Sequence, residues 1–209
     1  MMIPEKLIYD ILKTEGKQNK AVVVIHGWKG NKDSFKSIAS LLKLNCTTWF
    51  FPEAPFSFEG EDNKKTWTYQ KNNGKWEIDK PKKLLNDFFK SVVFKDFTPR
   101  DVYVMGFSQG ATVCYEFVLG LGYKFAGIFP IAGFLRDPEG NLTIHPYQYE
   151  TPILIGHGMQ DDIVPFEASR IAFNKINQLC TNVKLHAYNG KHKIGVEYLK
   201  EVKKMIELD

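Results

Sequence analysis

Residues 102–114, VYVMGFSQGATVC, constrain this chain more than any other stretch. Val102, Tyr103, Val104 and Met105 are a short apolar run of strand-forming residues. Ala111, Val113, Cys114, Phe117 and Val118 follow with helical apolar spacing. Between them Gly106-Phe107-Ser108-Gln109-Gly110 matches G-x-S-x-G. A strand that passes at once into a helix crowds two backbones together. Side chains two positions either side of the serine would collide there, and Gly106 and Gly110 remove them. This is the setting of a nucleophile elbow, in which a serine hydroxyl is held out on a strained turn. The stretch by itself also admits a glycine-softened turn with an ordinary surface serine. The choice rests on whether the chain supplies a base, an acid and an oxyanion loop in the right order.

The rest of the chain repeats the alternation of strand and helix. Residues 6–13 read as an edge strand, and 21–25 (AVVVI) as a strand buried on both faces. A helix is expected over 33–44, a strand over 47–51 and a helix over 81–94. After the elbow come strands at 125–131, 152–155 and 183–188, with helices over 166–179 and 194–206. Such alternation predicts an α/β fold: one domain over 1–209 with an open, mostly parallel sheet and helices on both faces. The 209 residues leave no room for a large lid. Residues 57–79 interrupt the pattern. They are polar and aromatic, with Trp67, Tyr69 and Trp76 around Asn72-Asn73-Gly74, and fit a hairpin insertion near the site.

Composition excludes several classes. Net charge is +4, from 28 Lys+Arg against 24 Asp+Glu, and the lysines are scattered. That is not the footprint of a nucleic-acid binder. Cys46, Cys114 and Cys180 are too few and too dispersed for a disulfide framework or a zinc site. No basic segment precedes an apolar leader, and no run is long enough to span a membrane. A cytoplasmic protein without stable membrane insertion is expected, and no metal or cofactor is required.

In open parallel sheets the reactive loops gather at the carboxyl ends of the strands. Gly27-Trp28, Ser108, Asp161 and His192 all follow strands there. A serine needs a base, and the base needs an acid to fix its tautomer and stabilise its cation. In sheet-based hydrolases the chain order is Ser, acid, His. His26, His145 and His157 fail on order, and His186 lies within a strand. His192 lies just beyond that strand, free to reach back, and is the candidate base. For the acid, Asp161 and Asp162 are adjacent and spacing alone does not choose. The oxyanion donors are expected to be the backbone N–H groups of Gln109 and Trp28.

Taken together these residues resemble the phospholipase/carboxylesterase group of α/β-hydrolases, which includes acyl-protein thioesterases and small bacterial carboxylesterases. The resemblance is carried by His26-Gly27, Phe51-Pro52-Glu53-Ala54-Pro55, Trp67, Gly106-Phe107-Ser108-Gln109-Gly110-Ala111, His157-Gly158-x-x-Asp161-x-x-Val164-Pro165, and His192. It implies an α/β-hydrolase fold and a serine esterase acting on a small-molecule ester or thioester. It also implies Asp161 as the acid. Trp28-Lys29-Gly30 departs from the group's second Gly-Asp, and the bulk of Trp28 implies a narrower acyl entrance. The resemblance singles out Trp67, expected here to line one wall of an acyl pocket. Two other functions compete: a thioesterase or lysophospholipase for long acyl chains, and a non-catalytic hydrolase scaffold that binds a ligand. The intact Ser, Asp, His set disfavours the last.

Overall fold

A computed structural model describes residues 5–208; the outermost residues of the expected 1–209 domain, 1–4 and 209, lie outside the described residues. Among the described residues a seven-stranded sheet has the order β1-β3-β2-β6-β7-β8-β9. Its strands are β1 (Tyr9–Lys13), β2 (Lys20–Ile25), β3 (Thr47–Pro52), β6 (Val102–Phe107), β7 (Gly127–Ile131), β8 (Ile153–Gly158) and β9 (Val183–Tyr188). β1 pairs antiparallel with β3 at the edge, and the other pairings are parallel. This is the doubly covered α/β architecture that the alternation implies.

Strand residues divide between two cores with a period of two. Ala21, Val23, Ile25, Val102 and Val104 face one core, built with α2 (Asp79–Ser91), α3 (Gln109–Val113) and α4 (Phe166–Ile176). Val22, Val24, Tyr103 and Met105 face the other, closed by α1 (Lys36–Leu42) and α5 (Val196–Glu207). Alternate side chains of a strand point to opposite faces, and both faces here are covered, so each run is continuously apolar. The elbow helix continues past α3 as a π-helical turn, Cys114–Val118, closed by the Leu119 N–H donating to the Cys114 carbonyl at 3.0 Å. Helix α1 starts later than its periodicity suggests, because Asn31, Asp33 and Ser34 form a turn of their own ahead of it.

Residues 57–79 depart more from expectation. They hold two turns where one hairpin was expected. β4 (Phe56–Phe58) and β5 (Glu61–Thr66) form a separate two-stranded sheet that turns at Gly60, whose φ is +71°. The expected turn around Asn72-Asn73-Gly74 exists as well, closed by a bridge between Gln70 and Trp76. The sequence of β5, EDNKKT, has no apolar alternation, so periodicity is silent about it.

The glycines of the elbow are a steric requirement. A Cβ on Gly106 would lie 2.3 Å from the Gly110 carbonyl oxygen, and one on Gly110 would lie 2.1 Å from the Ile25 carbonyl oxygen. Both obstacles are backbone and neither can rotate away. Gly110→Ala is therefore expected to destabilise the fold by about 3 kcal/mol or more, in the range of severe overpacking. Urea denaturation of the variant beside the parent measures the loss.

Candidate active site

Ser108 stands between the last residue of β6 and the first of α3, with φ 54° and ψ −116°. A non-glycine residue there carries strain of order 1–3 kcal/mol, which persists only where the surroundings impose it. Here they do. The Ser108 N–H donates to the Ile131 carbonyl at 2.8 Å, and the Ser108 carbonyl accepts from the Ala111 and Thr112 N–H groups at 2.9 and 3.1 Å. The strand is thus tied to β7 on one side and the helix is started on the other.

Asp161 and His192 come from neighbouring loops, after β8 and β9. These loops approach so closely that a Cβ on Gly158 would meet the Gly190 carbonyl oxygen at 2.3 Å. The Met159 and Gln160 N–H groups bind the carbonyls of Tyr188 and Gly190 at 2.8 and 2.9 Å. His192 sits at the apex of a tight turn, with the Lys193 N–H donating to the Lys191 carbonyl at 2.8 Å and the Tyr188 hydroxyl to the Lys193 carbonyl at 2.5 Å. Its Nδ1–H donates to Asp161 Oδ2 at 2.7 Å. Its ring packs on Phe107, centroids 4.8 Å apart, beside Ser108.

The two aspartates have different surroundings. The Asp161 side chain is 0% exposed, whereas that of Asp162 is 63% exposed and faces Lys191 at 3.5 Å. Asp161 Oδ1 accepts from the Ile163 and Val164 N–H groups, both at 2.9 Å. Burial pushes the Asp161 carboxyl up, but the His192 donor and these two backbone donors outweigh it and hold the group below its ordinary range. Asp161 is ionised at neutral pH.

The loop after β2 lies against the elbow: a Cβ on Gly27 would be 3.2 Å from Ser108 Cβ. His26, buried beneath this loop, has its Nδ1 2.8 Å from the Gly27 carbonyl oxygen and its Nε2 3.0 Å from the Ala54 N–H. A carbonyl only accepts and an N–H only donates, so His26 is neutral with its proton on Nδ1. The Gly30 N–H also donates to the Gly27 carbonyl, at 3.1 Å. In a trans peptide the C=O and the next N–H point in opposite directions. Two donors on the Gly27 carbonyl therefore aim the Trp28 N–H away from them. The Trp28 side chain is 59% exposed and leans edge-on against Phe58, centroids 5.5 Å apart.

Trp67 is not where the sequence reading put it. It is 0% exposed, and its Nε1–H donates to the His26 carbonyl at 2.9 Å. A side chain wholly enclosed by protein lines no acyl pocket; Trp67 is a strut under the β2 loop. The Gln109 side chain joins the same support. Its Oε1 accepts from the Trp67 N–H at 3.0 Å, and its Nε2 donates to the Thr66 hydroxyl at 2.8 Å. That link between the elbow and residues 66–68 joins groups 42 and 43 positions apart and has no sequence signature. His157, rejected as a base on chain order, lies 3.2 Å from Asp161 Oδ2. The signal for it was its place four residues before Asp161.

Around this edge Trp28, Phe134, Met159 and Ile163 are exposed on the loops after β2, β7 and β8. No group of three or more His, Cys, Asp or Glu suited to a metal occurs among the described residues. Nor does any described helix have the length and apolarity to cross a membrane.

The sheet, its strand order and the strained strand-to-helix turn define an α/β-hydrolase fold without a large lid. The chain belongs to the phospholipase/carboxylesterase family, whose model matches residues 8–209. It is 28% identical to acyl-protein thioesterase 1 of Debaryomyces hansenii over 94% of each chain. To carboxylesterase SOBER1 of Arabidopsis thaliana it is 23% identical over 89% of each. Among solved structures it superposes on esterase PE8 with a TM-score of 0.83 at 22% identity, covering 97% of this chain and 99% of that one. The Bacillus cereus carboxylesterase gives 0.77 at 16% identity, covering 98% and 95%. The chain is a hydrolase enzyme, of a family that cleaves ester or thioester bonds.

Two outcomes follow from the buried support. Burial pushes His26 down to about 4, the bond to the Gly27 carbonyl offsetting part of the effect. The unfolded chain binds this proton near pH 6.5, so the stability contribution is whole above pH 6.5 and is lost as pH falls toward 4. The loss is about 3 kcal/mol. His157, also held down by burial, adds to the same acid limb. Urea midpoints measured from pH 7.5 to 4 for the parent and His26→Gln should show a shallower slope in the variant. Second, Trp67→Phe should cost about 1–2 kcal/mol through the orphaned His26 carbonyl. Its acyl chain-length profile, read with graded p-nitrophenyl esters, should match the parent's.

Proposed function

We propose that this protein is a serine esterase that cleaves carboxylic esters of small molecules through an acyl-enzyme, with Ser108 as nucleophile, His192 as base and Asp161 as acid. The observation that carries the reading is the 2.7 Å bond from His192 Nδ1 to a fully buried Asp161, with the His192 ring packed on the residue before a strained Ser108. With Nδ1 donating to Asp161, the neutral ring presents Nε2 as an acceptor, the form a serine base needs.

In this mechanism the Ser108 oxygen attacks the ester carbonyl carbon while its proton passes to His192 Nε2. The carbonyl oxygen takes the negative charge and sits between the N–H groups of Trp28 and Gln109, the latter at the start of the elbow helix. Collapse expels the alcohol, which takes the proton from His192. Water then attacks the acyl-enzyme, gives one proton to His192 and releases the carboxylic acid and free Ser108. Asp161 stays ionised throughout and stabilises the imidazolium. The Gln109 side chain and Trp67 hold the loop and take no part in bond making. The exposed Trp28, Phe134, Met159 and Ile163 give the acyl group an apolar, open mouth. No nucleic-acid partner, metal or cofactor enters the scheme, and a cytoplasmic site of action remains part of it.

That apolar mouth also favours a second reading, hydrolysis of long-chain acyl thioesters or lysophospholipids; its thioester part accords with the fungal relatives named acyl-protein thioesterase 1. A panel of p-nitrophenyl esters of graded length beside acyl thioesters and lysophospholipids separates the two by kcat/KM.

Ser108→Ala and His192→Ala should each lower kcat by about 10⁴ or more with the fold intact, and Asp161→Asn by somewhat less. Asp162→Asn should stay within about twofold of the parent, as expected of an exposed surface charge. Steady-state kinetics with circular dichroism on each variant checks the order. A crippled Asp162→Asn with an active Asp161→Asn would reverse the choice of acid.

A further inference from the structure

The polar contacts around Asp161 include one that the proposed mechanism does not use. His157 is the penultimate residue of β8, and its side chain is wholly buried under the loop that carries Asp161. Its Nε2 lies 2.9 Å from the Val164 carbonyl oxygen and 3.2 Å from Asp161 Oδ2. Both of those atoms accept, so Nε2 carries the proton. Its Nδ1 lies 2.6 Å from the hydroxyl of Ser169, which is also wholly buried, on α4. In the neutral ring Nδ1 accepts, so the Ser169 hydroxyl donates. The edge of the ring meets Phe166 at 5.7 Å between centroids.

We propose that His157 is a positioning residue for the acid: its Nε2–H, bonded to the Val164 carbonyl, also faces Asp161 Oδ2 at 3.2 Å, and the Ser169 hydroxyl fits this tautomer by donating to Nδ1. The proposal rests on the reading of Ser108, Asp161 and His192 given above. It assigns every oxygen of Asp161 a place. Oδ1 is held by the Ile163 and Val164 N–H groups and Oδ2 by His192, while His157 Nε2 stands 3.2 Å from Oδ2 on the buried side. A carboxylate held only by the backbone and His192 could rock about the Oδ1 contacts and carry the His192 ring away from Ser108. The second imidazole stops that rotation. Ser169, His157 and Asp161 repeat the residue types of a catalytic triad, but with the two ring nitrogens exchanged and with no exposure to substrate. They are a support and not a second nucleophilic site.

The shared oxygen also has an electrostatic consequence. A donor on the core side draws part of the negative charge of Oδ2 away from His192. Without it the carboxylate favours the imidazolium more strongly, and the base stays occupied by a proton up to higher pH. The other groups facing this cluster are the Tyr188 phenol near Asp161, the Tyr115 phenol near Ser169, and the Asp162–Lys191 pair outside it. Burial pushes both phenols up, so they stay uncharged between pH 5 and 8.

The test compares His157→Phe, which keeps the ring volume, with His157→Gln, whose amide nitrogen reaches the place of Nε2. In kcat and KM measured from pH 5 to 9, the Phe variant should lose about 10- to 100-fold in kcat with KM within about twofold. The acid limb of its kcat/KM profile should move to higher pH, and the Gln variant should recover most of both changes. A loss of kcat with an unmoved limb and no recovery by Gln would mark a packing role and overturn the proposal. So would parent-like kinetics in the Phe variant. Ser108→Ala in the same assay tests the underlying reading: if it stays active the serine mechanism fails, whatever His157 does. Should the Phe variant not fold, ¹⁵N imidazole spectra of the parent decide. A protonated Nε2 and bare Nδ1 at His157 are expected, and the reverse tautomer overturns the proposal.

Discussion

The contact on which the rest depends is the approach of Gly110 to the Ile25 carbonyl, where the elbow helix lies flat on the end of β2. With a hydrogen in place of a side chain, the helix start and the strand end share space that a Cβ would fill at 2.1 Å. Two separate things follow from that closeness. The chain can reverse from β6 into α3 only through the left-handed backbone of Ser108, which presents the hydroxyl. And the loop after β2, carrying Gly27 and Trp28, is pressed to within van der Waals range of Ser108. In the proposed mechanism nucleophile and oxyanion donor are adjacent because two backbones are.

Closeness does not by itself orient a peptide group. The Gly27–Trp28 peptide is turned by the His26 and Gly30 donors on its carbonyl, and the His26 carbonyl is turned by the Trp67 indole. Trp67 is fixed in turn by Gln109, which returns to the elbow. The support is a chain of hydrogen bonds between mostly buried groups, where the loss of one member strands its partner without water to replace it. This explains why a bulky aromatic is fully enclosed in a stretch of sequence that is otherwise charged and exposed.

What was legible in the sequence divides along the same physical line. Elements whose cause is local could be read. The apolar runs of β2 and β6 gave the strands, the spacing of Gly106 and Gly110 gave the elbow, and chain order selected His192 among five histidines. Asp161 could not be told from Asp162 by spacing, because the difference is burial: one sits under its loop and the other on Lys191. The family resemblance made that choice. Trp67 was misplaced because its surroundings in sequence, lysines and asparagines, are not its surroundings in space. The β4–β5 hairpin was missed since a strand with little apolar surface to bury leaves no periodic trace. Chain order set His157 aside as a base, yet order says nothing about a residue packed beside the acid.

Three histidines thus stand within a few side chains of one another, and hydrogen bonding separates their roles. His26 has one nitrogen donating to a carbonyl and the other accepting from an N–H. His157 has one nitrogen donating to acceptors and the other accepting from a hydroxyl. Each is buried, and each has both nitrogens committed inside the protein. Burial depresses both, so they stay uncharged at neutral pH. His192 differs in kind. Its side chain is 17% exposed, and its Nδ1 is committed to an ionised carboxylate. In the proposed mechanism the cation of that ring is stabilised by Asp161, whereas ionisation of His26 would break its bond from the Ala54 N–H and burial disfavours a charge on His157. A proton taken from Ser108 in that mechanism therefore has one favourable place to go. In that scheme the two silent histidines keep it so: one aims the peptide proposed to receive the oxyanion, and the other stands against the carboxylate proposed to stabilise the cation.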